Sequence, residues 1–219
     1  MPRPKTFKRK PEIYSTVARL FARNGYERTS IRDITSELGM SKSSLYYYFK
    51  SKEELLFNLA NDCMDDALEV LEEIIASDIP PDEKIGRLFR FYASFFVSDR
   101  DRLTLLVTEL QSLGAPLRKI LLEKERRYVS LLRSVLTDLE SQGVLKNIHP
   151  TVAVFAFFGM VHYTYKWYDP NGPISPRELA DGFCEIFTQG VLKNGLDEDE
   201  KKERYEKPRN GKPDGRFVQ

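Results

Sequence analysis

The 219-residue chain has few of the side chains from which enzymes build reactive centres. It contains only two histidines and two cysteines, and no His, Cys, Asp and Glu set has the spacing of a metal site. It has no glycine-rich phosphate loop and no nucleophile elbow. We therefore expect that the protein is not an enzyme and that it needs no metal or other cofactor.

Disulfides and membrane segments are also missing. Cys63 and Cys184 are too few for a disulfide framework, so we expect both to be packing residues of a reduced, cytoplasmic protein. No apolar run has the length needed to cross a bilayer. The basic N-terminus lacks the apolar segment that follows in a secretory signal. We expect no membrane partner.

The net charge of +1 conceals an uneven distribution. Residues 1–52 carry twelve Lys and Arg against four Asp and Glu, whereas residues 53–219 carry 22 against 29. A basic end on an acidic remainder indicates either a polyanionic partner bound at that end or a solvated basic tail.

Helical periodicity runs through almost the whole chain, and no strand-like alternation of any length occurs. Ser30, Ser51 and Ser175 are each followed three residues later by Asp or Glu, which predicts capping boxes. Gly25, Gly39 and Gly143 follow predicted helix ends. We expect an all-α protein with nine helices, at about 11–24, 31–38, 41–49, 51–77, 82–98, 101–111, 116–141, 150–167 and 175–192.

Residues 31–49 have the pattern of two short helices that cross steeply. Apolar stripes lie on both helices, Gly39 suits the turn, and Thr35 falls at the crossing, where a small residue is needed. The second helix leaves a cation, short hydroxyls and phenols exposed, which suit base edges and phosphates. The pattern indicates a DNA-reading helix-turn-helix or a helical hairpin with a polar outer face.

Three segments carry a resemblance to a known family: GYERTSIRDI at 25–34, LGMSKSSLYYYF at 38–49 and SKEEL at 51–55. Without gaps over about residues 10–57, the chain resembles the DNA-binding domain of TetR-family regulators. The resemblance implies that Ser30 and Arg32 contact DNA from the first of the two helices and that Lys52 binds a backbone phosphate. It places on the recognition helix the groove-facing residues Lys42, Ser43, Ser44, Tyr46 and Tyr47.

The family resemblance also implies a helical sensor domain that dimerises through its last two long helices. Residues 152–167 are apolar on nearly every face, and Gly159 permits close helix approach. With the next helix they form a plausible pair for a homodimer interface at about 150–168 and 175–192. The alternative is that both helices fill the core of a single chain.

An effector pocket needs apolar and aromatic walls with a few polar groups. His162 fits either a pocket or a packed core or interface. The segments GMVHYTYKWY at 159–168 and NGPISPRELA at 171–180 resemble TetR-type regulators of fatty-acid and sterol degradation, which respond to acyl-CoA thioesters, or they mark a dimer-interface loop. The candidate ligand-binding residues are Phe91, Phe95, Phe96, Leu106, Met160, Tyr163 and Trp167. The candidate cations for a CoA nucleotide are Arg118, Lys119, Arg126, Arg127 and Arg133.

The resemblance implies a ligand-responsive repressor that binds a palindromic operator as a homodimer and is released by an apolar effector such as an acyl-CoA. An effector-independent DNA-binding regulator or an activator is the alternative. We expect a basic flexible arm at 1–9, a helix-turn-helix domain at 10–52, an effector-binding and dimerisation domain at 53–194, and a charged, disordered tail at 195–219.

Overall fold

The computed structural model describes residues 10–192, except for the side chains of residues 96–98, and it is all-α over that range, as predicted. The arm predicted at 1–9 and the tail predicted at 195–219 lie outside the described residues. One 3-10 turn, Leu110–Ser112, accompanies the α-helices. The helices are α1 (Lys10–Asn24), α2 (Ile31–Glu37), α3 (Lys42–Tyr46), α4 (Lys52–Ala76), α5 (Pro81–Ser98), α6 (Arg100–Thr108), α7 (Ala115–Ser141), α8 (Pro150–His162), α9 (Thr164–Trp167) and α10 (Pro176–Val191).

The predicted capping serines lie at the N-termini of α2, α4 and α10. At α2 the Ser30 hydroxyl accepts the Asp33 N–H at 3.2 Å and the Asp33 carboxylate accepts the Ser30 N–H at 2.8 Å, which confirms a capping box. The box at Ser175 is confirmed in the same way. At α4 the prediction is half wrong. Ser51 accepts the Glu54 N–H, but the Glu54 carboxylate accepts the N–H of Lys50 instead of that of Ser51.

The apolar segment 150–167, predicted as one helix, is divided into α8 and α9 near Tyr163. The Thr164 hydroxyl donates to the Val161 carbonyl at 2.5 Å, a local bond that competes with regular helix hydrogen bonding. The divided segment is the reason why the described range holds ten α-helices where nine were predicted. No helix between residues 10 and 192 is both long and apolar enough to cross a membrane.

Besides a small cluster of Leu103, Tyr168 and Leu179, two large apolar cores organise the described chain, and α4 belongs to both. The first, here called the reader core, joins α1, α2, α3 and the start of α4 and includes Phe21, Ile34, Leu45 and Leu59. The second, the sensor core, joins the rest of α4 to α5, α7, α8 and α10. Leu105 of α6 packs in the reader core, so the two halves are joined by α6 as well as by α4.

Candidate DNA interface and effector cavity

The α2–α3 pair has the geometry of the predicted helix-turn-helix. Gly39 follows α2 with φ of +58°, a left-handed conformation that side chains other than glycine rarely adopt. Thr35 is buried at the crossing, and its backbone carbonyl accepts the Met40 N–H at 3.0 Å. Leu45 and Phe49 are buried beneath α3. Packing against the reader core therefore fixes the outward face of α3.

The residues predicted to contact DNA from α2 and α3 are all exposed. Ser30 and Arg32 are exposed at the start of α2. The Ser44 hydroxyl lies 2.8 Å from that of Ser41, which caps α3. The exposed residues on or next to α3 are Lys42, Ser43, Ser44, Tyr46 and Tyr47. The structure thus leaves a cation, hydroxyls and two phenols exposed on or next to α3. Their contact with DNA remains a prediction.

Lys52 lies at the first turn of α4, but its ammonium group is already in contact with the protein. Its Nζ donates to the Tyr26 carbonyl at 2.8 Å and stands 4.0 Å from the centre of the Tyr26 ring. An ammonium group has three N–H donors, so this bond leaves donors for a phosphate. The contact also ties the start of α4 to the turn that follows α1.

A cavity of about 240 Å³, partly open to solvent, lies beside the sensor core and is lined by residues of α4, α5, α6, α7 and α8 and of the 3-10 turn. Its wall is mostly apolar and aromatic, as expected for a small-molecule site. Glu125 is the one charged side chain in this wall among the described residues. The other polar or polarisable members are Cys63, Tyr92, Tyr128 and His162. The apolar members are Met64, Ala67, Phe95, Leu103, Leu106, Val107, Leu110, Val129, Phe155 and Phe158.

Of the predicted ligand-binding residues, the structure brings Phe95 and Leu106 to this cavity. Phe91 packs beside it, with its ring 5.4 Å from that of Phe95, and Met160 packs against the sensor core. Tyr163 and Trp167 are 62% and 49% exposed and do not line the cavity. The side chain of Phe96 lies outside the described part of the chain.

Sequence reasoning missed the polar residues that α5 and α7 contribute to the cavity. Tyr128 stands in the buried stripe of α7 that also includes Leu121, Leu132 and Val135. A phenol within such an apolar stripe is the signal that could have identified it. Tyr92 occupies the corresponding inward face of α5, where it packs edge-on against Tyr128 with ring centres 6.1 Å apart.

The cations predicted for a CoA nucleotide lie on α7 outside the cavity wall. Arg118 donates to the Gln111 side chain at 3.1 Å, and Arg127 pairs with Glu72 at 2.6 Å. Lys119 lies 3.9 Å from Glu123. Arg126 and Arg133 are exposed. The cavity itself therefore suits an uncharged, mostly apolar group, and a phosphate would have to lie outside it.

His162 should make the protein sensitive to acid. Burial lowers the pKa of His162 to about 4, below the value near 6.5 expected in the unfolded chain. The unfolded chain therefore takes up the proton first, so stability falls as the pH drops from about 6.5 towards 4. The free energy of unfolding, measured in urea, should fall between about pH 7 and pH 5. We expect this fall to be about 1–2 kcal/mol smaller in His162→Phe than in wild type.

His149→Asn is the control for that experiment, because His149 is exposed and Asn preserves its capping of α8. This variant should keep the wild-type difference between the two pH values. An unchanged pH difference in His162→Phe would contradict a largely buried His162 that stays neutral in the folded protein.

The α6 helix links the cavity wall to the reader core. Leu103, Leu106 and Val107 line the cavity, and the carboxylate of Glu109, directly after α6, accepts the Tyr26 N–H at 3.4 Å. A second bond joins the Gly114 N–H to the Glu53 carboxylate at 2.7 Å. A displacement of α6 would therefore act on both the turn after α1 and the start of α4.

An apolar face on α8 and α10 is exposed in the single chain. Val152, Phe155 and Tyr163 on or next to α8 and Ile186 on α10 are between 57% and 65% exposed. A Cβ added at Gly159 or Gly190 would meet no atom within 4 Å. Large exposed apolar side chains at helical spacing are typical of a protein interface.

Comparison with known proteins gives the family. The model of bacterial regulatory proteins of the tetR family matches residues 13–59, and the model of the tetracyclin repressor-like C-terminal domain matches residues 78–191. The HTH-type transcriptional repressor KstR2 of Mycobacterium tuberculosis is 26% identical over 195 residues, covering 86% of this chain and 95% of its own. The fatty acid metabolism regulator protein of Bacillus subtilis is 23% identical over 182 residues, covering 82% and 94%.

Among solved structures, AibR in complex with isovaleryl coenzyme A and operator DNA superposes with a TM-score of 0.75 at 29% identity, over 82% of this chain and 97% of AibR. This similarity covers both the helix-turn-helix and the sensor helices. Taken with the two matching family models, it shows that the chain belongs to the TetR family, whose members are transcriptional regulators and not enzymes.

Proposed function

We propose that the protein is a ligand-responsive transcriptional repressor that binds a palindromic operator as a homodimer and is released by an apolar effector. Residues 10–52 would read the DNA, and residues 53–194 would bind the effector and dimerise. The observation that carries the proposal is that α6 both lines the cavity and packs in the reader core. Because it acts on operator DNA, we place the protein in the cytoplasm.

The DNA-bound state would be a dimer whose two α3 helices enter successive major grooves. In a helix-turn-helix dimer these helices lie about 34–36 Å apart, one turn of the duplex. The exposed side chains of α3 supply donors for base edges and phosphates. Lys52 adds a cation at the N-terminus of α4, where the helix dipole favours an anion.

The dimer would form through the exposed apolar face of α8 and α10. Two copies of this face, related by a twofold axis, would cover Phe155 and Ile186 in each chain. Gly159 and Gly190 leave room for close approach of the partner's helices. Trp167, exposed just after this face, would then lie at its edge.

The candidate effector is an acyl-CoA thioester. The cavity suits an acyl group. One relative is named a fatty acid metabolism regulator, and the AibR structure contains isovaleryl coenzyme A. Because the cavity wall contains a carboxylate and no cation among the described residues, the CoA phosphates would stay outside. The exposed Arg126 and Arg133 on α7 are available to them.

Effector binding would act on DNA through α6. An acyl group that fills the space beside Leu103, Leu106 and Val107 would favour a different position of α6. The bonds from Glu109 to Tyr26 and from Gly114 to Glu53 would carry that shift to α1 and α4. The effector changes DNA affinity only to the extent that it binds the two states differently.

A titration of acyl-CoAs against the protein–operator complex tests this proposal. The operator is first selected from a random duplex library, and isovaleryl-CoA and straight-chain acyl-CoAs are then added. We expect at least one to weaken operator binding by about 5- to 150-fold, the usual range of allosteric coupling. Coenzyme A without an acyl group is the control and should have no effect. If no acyl-CoA releases DNA, the acyl-CoA proposal fails and effector-independent regulation is favoured.

A further inference from the structure

Three polar side chains from three different helices meet in the cavity wall: Tyr92 of α5, Tyr128 of α7 and His162 of α8, here called the polar cluster. The Tyr92 ring centre lies 6.1 Å from that of Tyr128 and 6.2 Å from that of His162. Phe158 packs between Tyr128 and His162, with ring centres at 5.7 and 5.0 Å. Aromatic packing therefore holds the three side chains next to one another.

The Tyr128 hydroxyl is buried and has no hydrogen-bond partner among the described residues. The nearest phenol is that of Tyr92. Besides burial, which raises the pKa of both phenols, Tyr128 acts to raise the pKa of Tyr92 and Tyr92 acts to lower that of Tyr128, as a weak contact with Tyr92 as the donor would do. The contact falls outside hydrogen-bond geometry, and it leaves the O–H of Tyr128 without an acceptor. Leaving a buried hydroxyl without a partner costs free energy, and such groups are rare in folded proteins. Because Tyr128 lines a cavity, a ligand atom in that cavity can supply the missing acceptor.

The protonation states of the cluster favour an uncharged ligand group. Burial raises the pKa of both the Tyr92 and the Tyr128 phenol, so both remain neutral donors. Burial lowers the pKa of His162 to about 4, so near neutral pH it has one N–H donor and one acceptor and no charge. With no cation in the described wall, a ligand carboxylate would be buried without a counter-charge, which is costly.

We propose that the polar cluster is a hydrogen-bonding subsite that selects effectors with a neutral carbonyl oxygen, such as a ketone, ester or thioester, within an apolar body, and that it rejects free carboxylates. The inference rests on the proposed function insofar as the cavity is the effector site. In it, Tyr128 donates to the carbonyl oxygen and His162 supplies a second polar contact. The apolar wall around Met64, Phe95 and Leu106 holds the remainder of the ligand.

Binding of small probes to the full-length protein tests the subsite without depending on CoA. Acetophenone carries the carbonyl, cumene has almost the same shape without it, and benzoate carries a carboxylate. We expect Tyr128→Phe to weaken acetophenone by about 5- to 10-fold, the effect of losing one hydrogen bond, and to leave cumene unchanged or slightly tighter. Wild-type protein should bind benzoate much more weakly than acetophenone.

Two further measurements separate a ligand-binding role from a structural one. Tyr128→Phe should not lower the unfolding midpoint of the ligand-free protein, because the hydroxyl it removes makes no hydrogen bond of normal geometry. Tyr14→Phe, which removes a phenol that packs against the reader core outside the cavity, is the matched control and should bind both neutral probes like wild type.

The subsite proposal is overturned if Tyr128→Phe weakens acetophenone and cumene equally or neither of them. It is also overturned if benzoate binds as well as acetophenone, or if wild type binds none of the three probes. If any of these results is found while an acyl-CoA still releases DNA, the subsite proposal is wrong and the proposed function is unaffected. Failure of every acyl-CoA, together with the expected probe results, would overturn the acyl-CoA effector alone.

Discussion

Ile186→Lys should convert the protein into a monomer and abolish operator binding. Ile186 is 65% exposed on α10 in the single chain, so a lysine there is well solvated in the monomer. In the proposed dimer, the same lysine would be buried among apolar residues of two chains without a counter-charge. We expect the dimer dissociation constant to rise by at least about 100-fold, which corresponds to about 2.7 kcal/mol.

Ile120→Lys is the matched control for that substitution. Ile120 is 42% exposed on α7, which is not one of the two helices of the proposed interface, and the change of charge is the same. Sedimentation velocity should find a dimer for wild type and Ile120→Lys and a monomer for Ile186→Lys. A stable Ile186→Lys dimer that still binds operator would contradict the proposed interface.

The double substitution Lys42→Ala and Tyr47→Ala should lower operator affinity by about 100-fold or more, since each direct DNA contact contributes about 1–3 kcal/mol. Tyr47 is 73% exposed and Lys42 is exposed. The free energy of unfolding should therefore change by less than about 1 kcal/mol.

In Lys42→Ala alone, the slope of log affinity against log salt should become less steep by about 1 if this lysine binds a phosphate.

The control for this pair is Lys119→Ala with Leu122→Ala, two exposed residues on α7. These two substitutions remove one positive charge and one exposed apolar side chain. Both residues are distant from α3 in the sequence. Its operator affinity should match that of wild type. Equal operator affinity for the two double variants would contradict the predicted DNA surface of α3.

The helix-turn-helix was predictable because its determinants are local. Gly39 gives a turn with positive φ, and Ser30 with Asp33 forms a cap within four residues. Leu45 and Phe49 are at the spacing that turns both towards one core. Such signals depend on neighbours in the sequence, so helical periodicity and cap chemistry contain them.

The cavity was only partly predictable because it depends on contacts between helices distant in sequence. Phe91 and Phe95 are one helical turn apart on α5, yet Phe95 lines the cavity and Phe91 packs beside it. Tyr163 is exposed although its predecessor His162 lines the cavity. The sequence pattern marks apolar positions but does not distinguish a cavity wall from a solid core or from a surface that a partner covers.

The central claim is that occupation of the cavity weakens DNA binding, and Ala67→Phe tests it most directly. Ala67 is buried in the cavity wall, so a phenyl ring at this position fills space that an acyl group would need. The measurement is the operator dissociation constant of wild type and Ala67→Phe as the concentration of each acyl-CoA rises. We expect the wild-type constant to change by about 5-fold or more for at least one acyl-CoA and that of Ala67→Phe to stay constant, either at the ligand-free wild-type value or at the weaker effector-bound one. The same response in both proteins, or no response in wild type to any acyl-CoA, would contradict the account.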